Sequence, residues 1–109
     1  MVPQSALARI PVVGGLGYVE RVRRVPSTFT ATLAPEPGNR YFRHAIAVLA
    51  SGEKVGYVAP EVAIRYFAAV TGADTPVTCP GRRAAASDHE SSGVELLLDF
   101  TALAVEPAE

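Results

Sequence analysis

The chain has 109 residues, 49% of them hydrophobic, with a formal net charge of −1 at pH 7. That length holds one domain with a modest core and at most a short tail. The single cysteine, Cys79, excludes an intramolecular disulfide and a cysteine-based zinc cluster, and no apolar run approaches the ~20 residues of a membrane span.

No basic region followed by an apolar run opens the sequence, so no signal peptide is visible and a reducing, cytoplasmic compartment is expected. The near-zero net charge hides an asymmetry. Residues 1–65 carry eight basic and four acidic groups, and residues 66–109 carry two basic and seven acidic ones. Such a split can build a positive face for a polyanion, with Arg21, Arg23, Arg24, Arg40 and Arg43 as its members. Taken alone, the charge pattern equally describes ordinary solvated surface.

In chain order, Arg9 to Val13 reads as a first strand, stopped by Gly14-Gly15. Gly15-x-Gly17 lacks the third glycine of a dinucleotide-binding turn, because Glu20 stands there, and it reads as a loop cluster. Tyr18 to Val25 fits a short helix with Val19, Val22 and Val25 on one face, or a strand given its β-branched content. Pro26 ends either one. In 28–33 the apolar Phe29, Ala31 and Leu33 alternate with threonines, the pattern of a half-buried strand.

Pro35, Pro37, Gly38 and Asn39 mark a loop. Strands at about 45–50 and 54–58 then form a hairpin turned at Ser51-Gly52-Glu53. Pro60 suits the first turn of a helix, Glu61 complements its N-terminal dipole, and Ala63, Tyr66, Phe67 and Val70 share a face before Gly72 stops it. The segment 76–79 has the composition of a strand. Residues 80–93 read as a mobile loop, and Val94 to Phe100 alternate as a strand that extends toward Val105. The core is expected to hold Phe29, Leu33, Ile46, Val48, Phe67, Leu96 and Leu98, joined by Tyr57, Tyr66 and Cys79. Together these elements predict a mainly β fold: a small OB-like barrel of about six strands with two short helices. The whole of 1–109 is one domain, with its core at about 8–105 and frayed ends.

No catalytic grouping stands out. Asp88-His89-Glu90 reads as a polar loop rather than a metal site, and His44 as a surface residue at a strand end. Arg40-Tyr41-Phe42-Arg43 is different. Two adjacent aromatics between two arginines are hard to bury together, and single strands are recognised by rings that stack on bases and arginines that meet phosphates. At least one of the two rings is expected to anchor the loop instead. Tyr18, beside the glycine turn, is placed to join the same surface.

The combination Glu36-Pro37-x-Asn39-x-Tyr41, Ala45-Ile46-Ala47-Val48, Val55-Gly56-Tyr57-Val58 and Glu61-x-Ala63 resembles the HIRAN domain, the N-terminal module of helicase-like transcription factor proteins, which also occurs alone in bacteria. The resemblance is strongest over about 34–70. It implies a modified OB-like barrel that binds single-stranded DNA, above all a free 3′ end, in fork remodelling and repair. The family pocket uses an Arg-Tyr pair in its first loop and a Tyr-Asp pair in its second. Tyr18 and Tyr41 match the tyrosines. Gly17 replaces the arginine, Phe42 the aspartate, and His44 stands where asparagine is usual.

The resemblance therefore implies a non-catalytic single-stranded DNA-binding module with reduced 3′-end specificity. Its site residues are Tyr18, Arg21, Arg40, Tyr41, Phe42 and Arg43, and Arg40, Arg43 or Arg21 supplies the missing positive charge. No metal, cofactor or membrane is implied. DNA is favoured over RNA, and a DNA-processing protein would act in trans. The alternative is a protein-interaction or scaffold module that kept the fold and lost nucleic-acid binding.

Overall fold

The computed structural model describes residues 7–84, 96–101 and 103. The strands are β1 (Ile10–Val13), β2 (Thr28–Glu36), β3 (Ala45–Ala50), β4 (Glu53–Val58), β5 (Val77–Arg83) and β6 (Leu96–Leu98). The helices are α1 (Val19–Arg24), entered through a 3₁₀ turn at Gly15–Tyr18, and α2 (Pro60–Thr71). The strands close into an antiparallel barrel in the order β1-β4-β3-β2-β5-β6. This is the expected mainly β, OB-like small barrel with two short helices, and closure pairs each strand with a neighbour on both sides over at least part of its length.

Alternation on β2 directs Ala31 and Leu33 inward, where they meet Ile46, Val48, Val77 and Cys79 in one buried cluster. Burial of the Cys79 thiol pushes its pKa up to about 12, so it behaves as a small apolar residue. Five of the predicted core residues, Leu33, Ile46, Val48, Leu96 and Leu98, are buried, and Phe29 and Phe67 are only half-buried at the cluster's margin. β2 runs on through Pro35 to Glu36. Its pairing with β5 ends at Leu33, so Pro35 lies where β2 has only β3 beside it, as suits a residue without an N–H.

The segment 18–25 resolves as helix. Val22 and Val25 are buried, but Val19 at the helix start is exposed, so the three valines do not share a buried face. The C-terminus of α1 is held by Arg83 on β5. Its guanidinium donates to the carbonyls of Val22, Arg23 and Val25, two of them at 2.9 Å and that of Val22 at 2.5 Å. The Val22 carbonyl also accepts the Val25 N–H at 3.2 Å, and a cation suits this end of the dipole, where carbonyls run short of backbone donors.

Residues 80–83, expected in a loop, belong to β5. Pro80-Gly81 resembles a turn signal, yet Gly81 lies opposite Phe29, and a Cβ there would sit 2.4 Å from the Phe29 ring. The glycine makes room for the ring instead of breaking the strand. The rest of the expected loop, 85–93, lies outside the described residues, as do Val94 and Glu95. β6 ends at Leu98, before the expected Phe100, and beyond it the Asp99 carboxylate accepts the N–H of Thr101 at 2.8 Å and turns the chain. Phe100 is buried edge-on to Tyr66, 5.1 Å between ring centres, so α2 caps the barrel through Tyr66. Pro60 takes the first turn of α2 and Gly72 caps its end, as expected.

One irregularity positions the site. The β3–β4 register shifts between Val48 and Leu49: Val48 faces Gly56, Leu49 faces Lys54, and Val55 is an extra residue in β4. Gly56 has φ +156° and lies so close to β1 that a Cβ would be 2.7 Å from the Val13 carbonyl oxygen. Lys54 and Tyr57 would point to opposite faces of an unbroken strand; the bulge turns both outward. Tyr57, expected in the core, is therefore half-buried on the outside of the barrel.

Candidate functional site

The loop between β2 and β3 starts with a turn in which the Asn39 N–H donates to the Glu36 carbonyl at 3.0 Å. The Asn39 side-chain oxygen then accepts the backbone N–H groups of Tyr41 at 2.9 Å and Phe42 at 3.0 Å. An asparagine suits this place because its short side chain reaches its own backbone two and three residues on. The loop closes where the Ala45 N–H donates to the Phe42 carbonyl.

The two adjacent rings part company here. Phe42 is half-buried, edge-on to His44 at 5.7 Å, and His44 is edge-on to Phe67 of α2 at 5.3 Å. Phe42 is thus the ring that anchors the loop. His44 is a half-buried link in that stack, not the surface residue expected. Tyr41 is 88% exposed. Arg40 and Arg43 beside it are exposed and form no ion pair among the described residues.

Beneath the loop lies a polar cluster on the outer face of the barrel. The Glu36 carboxylate accepts from Lys54 Nζ at 2.5 Å, from the Tyr57 hydroxyl at 2.8 Å and from Asn39 Nδ2 at 3.2 Å. Lys54 also donates to the Tyr57 hydroxyl at 3.0 Å. Burial raises the Glu36 pKa, but hydrogen bonds from Lys54, Tyr57 and Asn39 outweigh it and hold the carboxyl below its ordinary value. The Glu36 and Tyr57 hydrogen bonds raise the pKa of Lys54 further above its ordinary value. Lys54 draws the Tyr57 phenol down, and burial with the Glu36 carboxylate more than reverses this. At neutral pH Lys54 stays an ammonium and Tyr57 a phenol, both bound to the Glu36 carboxylate.

Tyr18 and Arg21 join from the other side. The Arg21 guanidinium sits 5.6 Å from the centre of the Tyr18 ring and donates to the Lys54 carbonyl at 3.2 Å. A guanidinium over a phenol ring is a favourable cation–π pair. The structure thus connects Tyr18 and Arg21 to the Lys54 cluster, and that cluster to the loop bearing Tyr41. Two members of the expected positive face are matched by acids: Arg23 pairs with Glu20 at 3.5 Å and Arg24 with Glu53 at 3.7 Å, all on the surface. Arg21, Arg40 and Arg43 have no acidic partner among the described residues.

Sequence reasoning missed Glu36, Asn39, Lys54 and Tyr57 as site members. Two signals pointed to them. Glu36 and Asn39 belong to the motif that carries the family resemblance, and Lys54 is the one lysine in a chain whose other basic residues are arginines. A separate groove of about 460 Å³ opens at the Thr28 end of β2, lined by Thr28, Thr30, Pro80, Arg82, Leu97 and Asp99. Among the described residues no group of three metal-ligating side chains occurs, and no helix is long and apolar enough to cross a membrane. Comparison of the chain with protein-family models, with curated proteins and with solved structures finds no match.

Proposed function

We propose that this chain is a non-catalytic module that binds single-stranded nucleic acid, with little preference for a free 3′ end. The observation that carries the reading is Tyr41. A large ring that is 88% exposed is unusual, and this one stands on a loop tied by Asn39 and anchored by Phe42, between two arginines without acidic partners among the described residues. Such a ring offers a face on which any base can stack, and the arginines suit phosphate oxygens. The OB-like barrel is compatible with this use. The HIRAN resemblance favours DNA over RNA, a cytoplasmic role in repair or fork processing, and a DNA-processing protein supplied in trans.

Phe42 offers no acceptor for a 3′ hydroxyl and Gly17 no guanidinium. Fluorescence anisotropy with a short labelled oligonucleotide is the test. Affinity is expected to fall with salt, with a log–log slope of about −0.7 per phosphate neutralised. Tyr41→Ala should weaken binding about tenfold, within the ~1–3 kcal/mol per base that stacking supplies. Oligonucleotides ending in a 3′ hydroxyl or a 3′ phosphate should bind within about threefold of each other. No association at low salt would replace this reading with that of a protein-interaction module. A strong preference for the 3′ hydroxyl would overturn the assignment of Phe42.

A further inference from the structure

A continuous series of hydrogen bonds runs from the barrel wall to the backbone of the residue that bears the exposed ring. Lys54 and Tyr57 of β4 fix the Glu36 carboxylate. Glu36 accepts from Asn39 Nδ2, which sets the rotation of the side-chain amide. That rotation leaves Asn39 Oδ1 facing the N–H groups of Tyr41 and Phe42. Every member is spoken for: the carboxylate has three donors, and the amide uses its oxygen twice and its nitrogen once. We infer that Lys54, Tyr57, Glu36 and Asn39 are positioning residues that preset the Tyr41 loop for the single-strand binding proposed above, on which this inference rests. They act without touching the nucleic acid.

Two consequences separate positioning from direct contact. A cation that meets a phosphate contributes to the salt slope, and one that only orders the loop does not, so Lys54, the one cation of the relay, tells the two apart. A loop held in its bound shape also loses less freedom on binding, so breaking the relay lowers affinity while the contacts stay the same.

The polarity of the Glu36–Asn39 bond supplies the test. Asn39→Asp keeps an oxygen for the two backbone N–H groups but sets a carboxylate against Glu36. Glu36→Gln in that background restores the hydrogen bond with donor and acceptor exchanged, the glutamine amide now donating to the aspartate. Oligothymidylate binding, read by anisotropy, should weaken about five- to tenfold in Asn39→Asp and recover most of that loss in the double variant, whose net charge is that of the wild type. Tyr57→Phe, which removes one donor to Glu36 and keeps the ring, should weaken binding less, and Lys54→Gln should weaken it with an unchanged slope across a salt series.

Backbone ¹⁵N relaxation on the free protein gives an arm that needs no ligand. The Tyr41 amide should show an order parameter near ~0.85 in the wild type and a marked fall in Asn39→Asp, reversed by Glu36→Gln. An unaltered Tyr41 order parameter in Asn39→Asp overturns the relay, whether or not the wild type binds oligonucleotide. Wild-type binding with a reduced salt slope in Lys54→Gln overturns it in favour of direct contact. If the wild type binds no oligonucleotide, the proposed function fails, and so does the claim that the relay serves binding.

Discussion

Gly56→Ala tests the geometry on which the barrel closes. The added methyl would lie 2.6 Å from Val12 Cγ1 and 2.7 Å from the Val13 carbonyl oxygen. Ordinary contact begins near 3.4 Å, so β1 would have to retreat by about 0.7 Å. It has little room to do so, because it is hydrogen-bonded to β4 on one side and β6 on the other. Overpacking of this kind costs ~1–3 kcal/mol. The backbone at φ +156° adds about 1 kcal/mol of strain for a residue with a Cβ. A loss of about 2–4 kcal/mol, from a total of ~5–15, would lower Tm by roughly 10–20 °C. Urea denaturation and thermal melts followed by circular dichroism measure this. Gly38→Ala is the control, since nothing lies within 4 Å of a Cβ there. A Gly56→Ala protein within about 1 kcal/mol of wild type would refute the close approach of β4 to β1.

Arg83→Ala should cost about 2–3 kcal/mol by urea denaturation, because it strips a charged donor from three carbonyls at the end of α1. Arg83→Lys should recover less than half, since a single ammonium cannot reproduce the fork, and full recovery would contradict the geometry. For Glu36 the folded pKa lies below the unfolded one, so the carboxylate adds stability above pH ~4.3 that is lost as pH falls through the lower folded value. Glu36→Gln should therefore be less stable than wild type at pH 7, and the gap should narrow as the pH falls below ~4.3. Parallel stability–pH curves for the two proteins would show that the network leaves the carboxyl unshifted.

The parts of the fold that depend on neighbours in sequence were legible. The alternation on 28–33 and the turn at Ser51-Gly52 are local, and so are the proline and glycine that bound α2. The continuation of β5 through Pro80-Gly81 was not, because its cause is a ring on another strand. The Tyr41 loop was also legible, down to the expectation that one of its two rings would serve as an anchor. The polar cluster beneath it was hidden for a physical reason. Glu36 and Lys54 lie far apart in sequence and meet only across the sheet, and Lys54 and Tyr57 are three apart on a strand, a spacing that ordinarily separates faces. His44 before an apolar strand gave no sign of the ring stack it joins.

The extra residue in β4 acts as a frameshift acts on a reading frame. Upstream of Val55 one set of side chains faces outward, and downstream the opposite set does. The meeting of an ammonium with a phenol is thus written in a number of residues more than in their kinds. Replacing Val55 by another β-branched residue would keep the frame, whereas deleting it would return Tyr57 to the interior and carry Val58 out to solvent. In related chains a tyrosine three positions after a lysine would therefore say little until the intervening pair was seen to contain a bulge.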